Sequence, residues 1–374
     1  MPSSLLNFLG CLLCFRKKRQ SLKVIDATRV SSSPRTNPSL LVVAKGQYEI
    51  NDLCPFPTMN SDTEVIIRVV AVGLNPIDWK SVDYGFCLPE FPWITGREMA
   101  GVIEQVGSAV TDLKVGQRVW TSTYYRDRRA GCFQHYVTVP QHTVAPIPSG
   151  MPFEAASCLG VAGLTAAMSL WHWLEVAGSP ALETKTLPES GYILIWGGSA
   201  VTGQFAIQIA AQAGLKVIAV TSTKTASLAR SLGAQHVITR DGKTGDEIVS
   251  QIMNIAGDGI TRCIDLVGTE TASYCLQAVS QTQRVLFAPL AMISSKAVIP
   301  ENVSVQTVEM KQFVLNESSK VYSLALNRLL EEDKLVLPEM TIMDGGLSAV
   351  LEGLERVKRG DMGGKKMVVR ISTS

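Results

Sequence analysis

Tyr192-Ile-Leu-Ile-Trp-Gly-Gly-Ser-Ala-Val-Thr-Gly203 runs into Gln204-Phe-Ala-Ile-Gln-Ile-Ala-Ala-Gln-Ala-Gly214 and then Lys216-Val-Ile-Ala-Val220. The apolar run Ile193 to Trp196 suits a strand covered on both faces. Gly197 and Gly198 allow a tight turn and a close backbone approach. Ser199, Ala200, Val201 and Thr202 complete the turn and open a helix, and Gly203 lets the helix start pack against the strand. Phe205, Ile207, Ile209, Ala210 and Ala213 give that helix its apolar face. A pyrophosphate at such a helix N-terminus meets free N–H donors and the positive end of the helix dipole. The order strand, glycine turn, helix, strand therefore predicts a dinucleotide-binding βαβ unit. In the G-x-G-x-x-G frame the middle glycine is replaced by Ala200.

The second strand ends Val220-Thr-Ser-Thr-Lys224, with no carboxylate to bond a ribose 2′-OH. Lys224 is positioned to meet a 2′-phosphate and Ser222 to donate a hydrogen bond, so NADPH is the expected cofactor. A charge-assisted hydrogen bond of roughly 1.5–3 kcal/mol gives a preference over NADH of one to two orders of magnitude.

The chain has 374 residues with 46% hydrophobic composition, enough for two domains. A net charge of +2 argues against nucleic acid as a bulk electrostatic partner. The eight cysteines are scattered, which fits a reducing, cytoplasmic compartment. Leu5 to Phe15 is apolar and is followed by Arg16-Lys-Lys-Arg19. The run is too short to span a bilayer, and the charge follows it, the reverse of a secretory signal. Three readings stay open: a disordered leader, a peripheral membrane anchor acylated at Cys11 and Cys14, and a basic targeting signal. Ser31 to Pro38 is linker-like, so residues 1–38 are expected to be a leader and the fold to begin near Leu40.

Short strands separated by Gly, Pro and Asp fill Leu40 to Pro148. Helices follow over Pro152 to Ser157 and Gly163 to Leu174. From Tyr192 to Pro289 strands and helices alternate, which implies a parallel sheet covered on both faces. Helices at Ser319 to Glu332 and Leu347 to Lys358 precede a terminal strand at Gly363 to Ile371. The fold class is therefore α/β, with a Rossmann-type doubly wound parallel sheet beside a β-rich domain.

Several segments carry a family resemblance. They are Asn75-Pro-Ile-Asp-Trp-Lys80, Gly96-Arg-Glu-Met-Ala-Gly-Val-Ile103, Val115-Gly-Gln-Arg-Val119, Gly160 to Ala166 and Gly364-Lys-Lys-Met-Val-Val369. Together they resemble the medium-chain dehydrogenase/reductase superfamily over roughly residues 40 to 372. The resemblance implies a GroES-like catalytic domain at 39–165 and 305–374, with a Rossmann NADPH-binding domain at 166–304. In the zinc branch a Cys sits where Asn75 lies and a His where Arg97 lies, and the structural four-cysteine lobe is absent. No metal is expected. Without a Lewis acid, alcohol oxidation is difficult, whereas an enone or enoyl C=C bond is already polarised by its carbonyl.

Among zinc-free branches, Trp196 to Gly203 and Cys158 to Thr165 are most similar to fungal secondary-metabolite enoyl reductases that act in trans on polyketide synthases. The resemblance implies that Lys80 and Thr165 face the substrate end of the nicotinamide, near the developing enolate oxygen. Asn75 would orient either the loop or the carbonyl. Structural alternatives stand beside these roles: Asn75-Pro76 as a turn, Asp78 paired with Lys80 or Arg97, and Thr165 bonded to its own helix. Tyr124 and Tyr125 are either proton donors or packing residues. The expected activity is NADPH-dependent reduction of an α,β-unsaturated carbonyl or enoyl thioester, free or carrier-bound, by a monomer or homodimer. A quinone or enone reductase of free small molecules is the near rival. A non-catalytic nucleotide-binding protein with a protein partner is the distant one.

Overall fold

The computed structural model describes residues 35–181, 190–360 and 362–372. The apolar and basic leader motif, with Cys11 and Cys14, lies outside the described residues. The chain from Thr36 onward forms one compact unit.

The N-terminal half carries β1 (Ser39–Ala44), β2 (Gln47–Asn51), β3 (Glu64–Leu74), α1 (Pro76–Tyr84), β4 (Trp93–Ile94), β5 (Glu98–Val106), β6 (Arg118–Ser122), β7 (Tyr136–Pro140) and β8 (Val144–Pro146). A long helical run follows, in which α2 (Phe153–Ala156) is followed by a π-helical turn at Leu159–Gly163, α3 (Leu164–Met168) and a second π-helical turn at Ser169–Trp173. The nucleotide half contains β9 (Tyr192–Trp196), α4 (Val201–Gln212), β10 (Lys216–Thr221), α5 (Ala226–Ser231), β11 (His236–Thr239), α6 (Gly245–Ala256), β12 (Ile260–Asp265), α7 (Thr269–Ala278), β13 (Val285–Pro289) and β14 (Val303–Val305). The return adds α8 (Lys311–Leu315), α9 (Lys320–Glu331), β15 (Met340–Met343), α10 (Gly346–Arg359) and β16 (Lys366–Arg370).

Among the described residues, β11-β10-β9-β12-β13-β14 form a six-stranded parallel sheet. This order places the switch point between β9 and β12, where a doubly wound sheet binds its ligand. Ile193, Leu194 and Ile195 are fully buried because helices cover both faces. A second sheet runs β15-β16-β3-β5-β6-β8, with β7 also pairing β3. The C-terminal strand β16 pairs antiparallel with β3, so the return segment completes the N-terminal sheet.

Some elements differ from the sequence expectation. Asn75-Pro76 opens helix α1 and is not merely a turn. Pro76 sits in its first turn, and the Asp78 carboxylate accepts from the Asn75 N–H at 2.8 Å. The packed residues also include some before Leu40. Asn37 is buried, its amide donates to Gln134 at 2.8 Å, and its backbone N–H donates to the Cys54 carbonyl at 2.7 Å. Residues 36–38 therefore belong to the fold and not to the leader.

Among the described residues, one helical run, Phe153–Trp173, is long and apolar enough to cross a membrane by length and composition. It is mostly buried inside the protein, as a core helix is.

Candidate active site

The nucleotide turn is built by backbone. Gly197 adopts φ +89°, a conformation that favours glycine. Gly197 and Gly198 both donate to the Val220 carbonyl, at 3.0 and 3.1 Å. A Cβ on Gly203 would lie 2.5 Å from the Gly197 carbonyl oxygen, and one on Gly198 would lie 2.9 Å from the Ala219 methyl. Close packing is thus what demands glycine at these two positions. Ala200 is the N-cap of α4 and makes no side-chain cap, so the first N–H groups of the helix have no capping side chain. That cradle fits a dinucleotide pyrophosphate. Gln204 ties it to the return segment, donating to the Ser199 carbonyl at 3.0 Å and to Gly364 at 2.5 Å.

At the end of β10, Lys224 is exposed and, among the described residues, makes no ion pair. The Ser222 hydroxyl shares a 2.9 Å hydrogen bond with Thr225. A cavity of about 530 Å³ opens beside Lys224 and is also lined by Arg356, Arg359 and Lys365. Sequence reasoning missed these three cations because they come from α10 and the turn before β16. It also missed Asp241, whose carboxylate accepts a short hydrogen bond from the Thr223 N–H. Asp241 follows β11, so no reading of the β10 end alone reveals it. Its backbone and side-chain hydrogen bonds with Thr223 hold its pKa below the ordinary value.

The buried cluster in the β-rich half is built by side chains. Glu98 opens β5 and is fully buried. One of its oxygens accepts from Lys366 at 2.5 Å and from the Asn75 amide at 2.8 Å. The other accepts from the Val161 N–H at 2.6 Å, inside the π-helical turn that leads to Thr165. Lys366 also donates to the Asn75 carbonyl oxygen at 2.7 Å. One buried carboxylate therefore joins the N-terminal loop, the core helix and the C-terminal strand. Glu98 and Lys366 were not singled out from sequence. Their signal was a charged residue at the head of an otherwise apolar strand, in Glu98-Met-Ala-Gly and in Lys366-Met-Val-Val.

Asp78 is fully buried and lies 3.9 Å from the Nε of Arg97. That is an ion pair but too long for a hydrogen bond. Asp78 Oδ1 and Arg97 Nε have no hydrogen-bond partner among the described residues. Such orphans cost on the order of 1–3 kcal/mol each. Burial raises the Asp78 pKa to about 6, against the pull of Arg97 and the Asn75 N–H. Asp78 thus pairs with Arg97 and not with Lys80. Cys132 lies near the same groups, and burial pushes its thiol well up.

The structure does not join Lys80 to the rest of the predicted catalytic set. Lys80 Nζ lies 5.7 Å from the Trp79 ring centroid. Among the described residues, no hydrogen bond or ion pair links it to Asn75 or Thr165. Thr165 is buried in α3, and no hydrogen bond to its own helix engages its hydroxyl among the described residues. Tyr124 and Tyr125 contact each other edge to face at 5.1 Å, and Tyr125 also lies 5.4 Å from the Arg97 guanidinium.

Among the described residues no group of three or more His, Cys, Asp or Glu side chains could hold a metal ion. The donor chemistry at the expected ligand positions does not fit a divalent cation either. The Asn75 amide is occupied on both sides by Lys366 and Glu98, and Arg97 is itself a cation.

Comparison with known proteins identifies the family. Residues 61–149 match the alcohol dehydrogenase GroES-like domain, and residues 201–331 match the zinc-binding dehydrogenase family. The chain is 32% identical over 320 residues to the trans-enoyl reductase himH of Aspergillus japonicus, covering 83% of this chain and 90% of that one. It is 28% identical over 357 residues to the trans-enoyl reductase buaC of Petromyces alliaceus, covering 90% and 97%. Its fold is similar to the CurK enoyl reductase, with TM-score 0.75, 21% identity and coverage of 90% and 100%. It is also similar to the quinone oxidoreductase of Pseudomonas syringae pv. Tomato DC3000, with TM-score 0.74, 22% identity and coverage of 89% and 99%. With a glycine cradle for a nicotinamide cofactor on one side and a buried polar cluster on the other, the chain belongs to the medium-chain dehydrogenase/reductase family, as an oxidoreductase of its enoyl reductase branch.

Proposed function

We propose that this protein reduces the C=C bond of α,β-unsaturated carbonyl compounds, in particular enoyl thioesters of secondary-metabolite biosynthesis, with NADPH and without a metal. The observation that carries this reading is the pairing of an intact nucleotide cradle with ligand positions filled by a hydrogen-bonded Asn75 and a cationic Arg97. The trans-enoyl reductase relatives support the substrate class.

When bound, the nicotinamide supplies hydride. The substrate accepts it at Cβ, the C=C electron pair moves to the carbonyl oxygen as an enolate, and a solvent proton at Cα completes the reduction. Gly197 through Gly203 hold the pyrophosphate, and Lys224, with Arg356, Arg359 and Lys365 nearby, favours the 2′-phosphate. Ser222 serves the same site if its hydroxyl turns from Thr225. Thr165 faces the reactive end of the cleft, whereas Lys80, which lies beside Trp79, is not joined to it. Asn75, committed to Glu98 and Lys366, orients the loop and not the carbonyl. The domain division at residues 165 and 305 follows the same reading.

NADPH oxidation against a panel of enoyl thioesters, enones and quinones tests this. Turnover should be highest on enoyl thioesters. Turnover only on quinones would favour a quinone reductase, and cofactor binding without turnover would favour a non-catalytic partner protein.

A further inference from the structure

We propose that Arg97 is the oxyanion-binding residue of the cleft, holding the substrate carbonyl oxygen through its two Nη groups as charge develops there. The inference rests on the reading above and extends it to a residue with no assigned role.

Four observations converge on it. First, Arg97 immediately precedes Glu98, whose carboxylate is fixed to Asn75, Lys366 and Val161, so its backbone is anchored beside the buried polar cluster. Its carbonyl accepts from the Thr123 N–H at 2.9 Å, and the preceding Gly96 carbonyl accepts from the Thr123 hydroxyl at 3.2 Å. Second, its side chain is 14% exposed, and Nε is the atom buried without a partner. Among the described residues the Nη groups make no hydrogen bond, and they are not among the buried orphans. The inner part of the guanidinium is enclosed while its outer donors stay open.

Third, the group is held against Tyr125, whose ring lies 5.4 Å away and whose own carbonyl accepts from Trp93 Nε1 at 3.1 Å. Fourth, its one ion-pair partner among the described residues, Asp78, approaches Nε at 3.9 Å and leaves the Nη edge free. Donors fixed before the reaction and aimed where charge appears stabilise a transition state without reorganisation. A guanidinium presents two such N–H groups in one plane and stays protonated at working pH. Arg97 thus supplies as a fixed cation what a Lewis acid supplies in a metal-dependent relative.

The test has a binding arm and a turnover arm, each run on the parent, Arg97→Met and Arg97→Lys. Thermal melting and NADPH affinity check that each variant folds. In the binding arm, S-acetoacetyl-N-acetylcysteamine is titrated onto the protein and its ultraviolet enolate band is followed against pH. The parent should favour the bound enolate about tenfold or more over the free compound, Arg97→Met should lose that shift, and Arg97→Lys should keep part of it. In the turnover arm, single-turnover reduction of a crotonyl thioester should fall about 10²–10³-fold in Arg97→Met, with NADPH affinity unchanged.

An absent enolate shift in the parent, or an equal one in Arg97→Met, overturns the assignment. If Arg97→Met fails to fold, the same criteria apply to Arg97→Lys, which must lose part of the shift. A parent that holds the enolate through Arg97 yet reduces no acceptor would sink the proposed activity and leave this assignment standing. Normal crotonyl reduction by Arg97→Met would do the reverse.

Discussion

The nucleotide turn and the buried polar cluster are built from opposite materials. The turn uses backbone: two N–H groups on Val220, a glycine at φ +89° and the uncapped start of α4. Its residues are contiguous, so their spacing carries the information. The cluster uses side chains from segments far apart in the chain. Lys366 and Glu98 are 268 residues apart in sequence and 2.5 Å apart in space. A backbone site tolerates a change of side chain that points outward but not an added Cβ. A side-chain site tolerates neither the loss of a partner nor the loss of its charge.

Breaking one member of the cluster should have the largest effect. Lys366→Met leaves Glu98 buried and uncompensated, and removing one partner of a buried pair typically costs about 3–5 kcal/mol. Denaturant unfolding should show that loss. A loss below about 1 kcal/mol would mean that Glu98 is satisfied by Asn75 and Val161 alone.

Next is the titration of Asp78. Its folded pKa of about 6 lies above its ordinary value of 3.8, so the native state holds the proton more tightly than the unfolded chain. Its contribution to stability is therefore full below about pH 4 and is lost as pH rises through 6, by at most roughly 3 kcal/mol. Asp265, also raised to about 6 by burial, acts with the same sign in the same window. Asp78→Asn should flatten the stability profile between pH 4 and 7 by its own share. An unchanged slope would show that Asp78 stays ionised beside Arg97.

On the backbone side, Gly203→Ala forces a Cβ to within 2.5 Å of the Gly197 carbonyl oxygen. Overpacking of this kind costs about 1–3 kcal/mol, and nucleotide binding should fall with it, since the same turn must widen. Unaltered NADPH affinity in a folded Gly203→Ala protein would remove the turn from the cofactor site.

The smallest expected effects concern which nucleotide is bound. Lys224→Ala should weaken NADPH by about tenfold and leave NADH nearly unchanged. Asp241→Asn should shift preference the other way, toward NADPH, because it removes a negative charge near the proposed 2′-phosphate site. Equal weakening of both nucleotides by Lys224→Ala would refute the specificity argument.

The two regions also differ in how far the sequence reveals them. Strand, turn and helix from Tyr192 to Gly214 are legible because each glycine answers a local steric demand. The parallel sheet follows from the alternation after it. The polar cluster was only half legible. Asn75 and Arg97 stood out by replacing expected ligands, but Glu98 and Lys366 look like ordinary charged residues until β16 pairs with β3. Asp241 and the cations of α10 escaped for the same reason, since sheet order and the return of the chain bring them to the end of β10. Lys80, legible as part of a motif, makes its nearest ring contact with Trp79, which shows that a motif position does not fix a side chain's neighbours.

The most direct test of the account is the fate of the transferred hydrogen. The protein is incubated with NADPH deuterated at C4, an enoyl thioester and a metal chelator, and the product is analysed by mass spectrometry. The account predicts a saturated thioester with deuterium at Cβ and undiminished turnover in the chelator. A product without deuterium at Cβ, or turnover that stops in the chelator and returns with zinc, would contradict it.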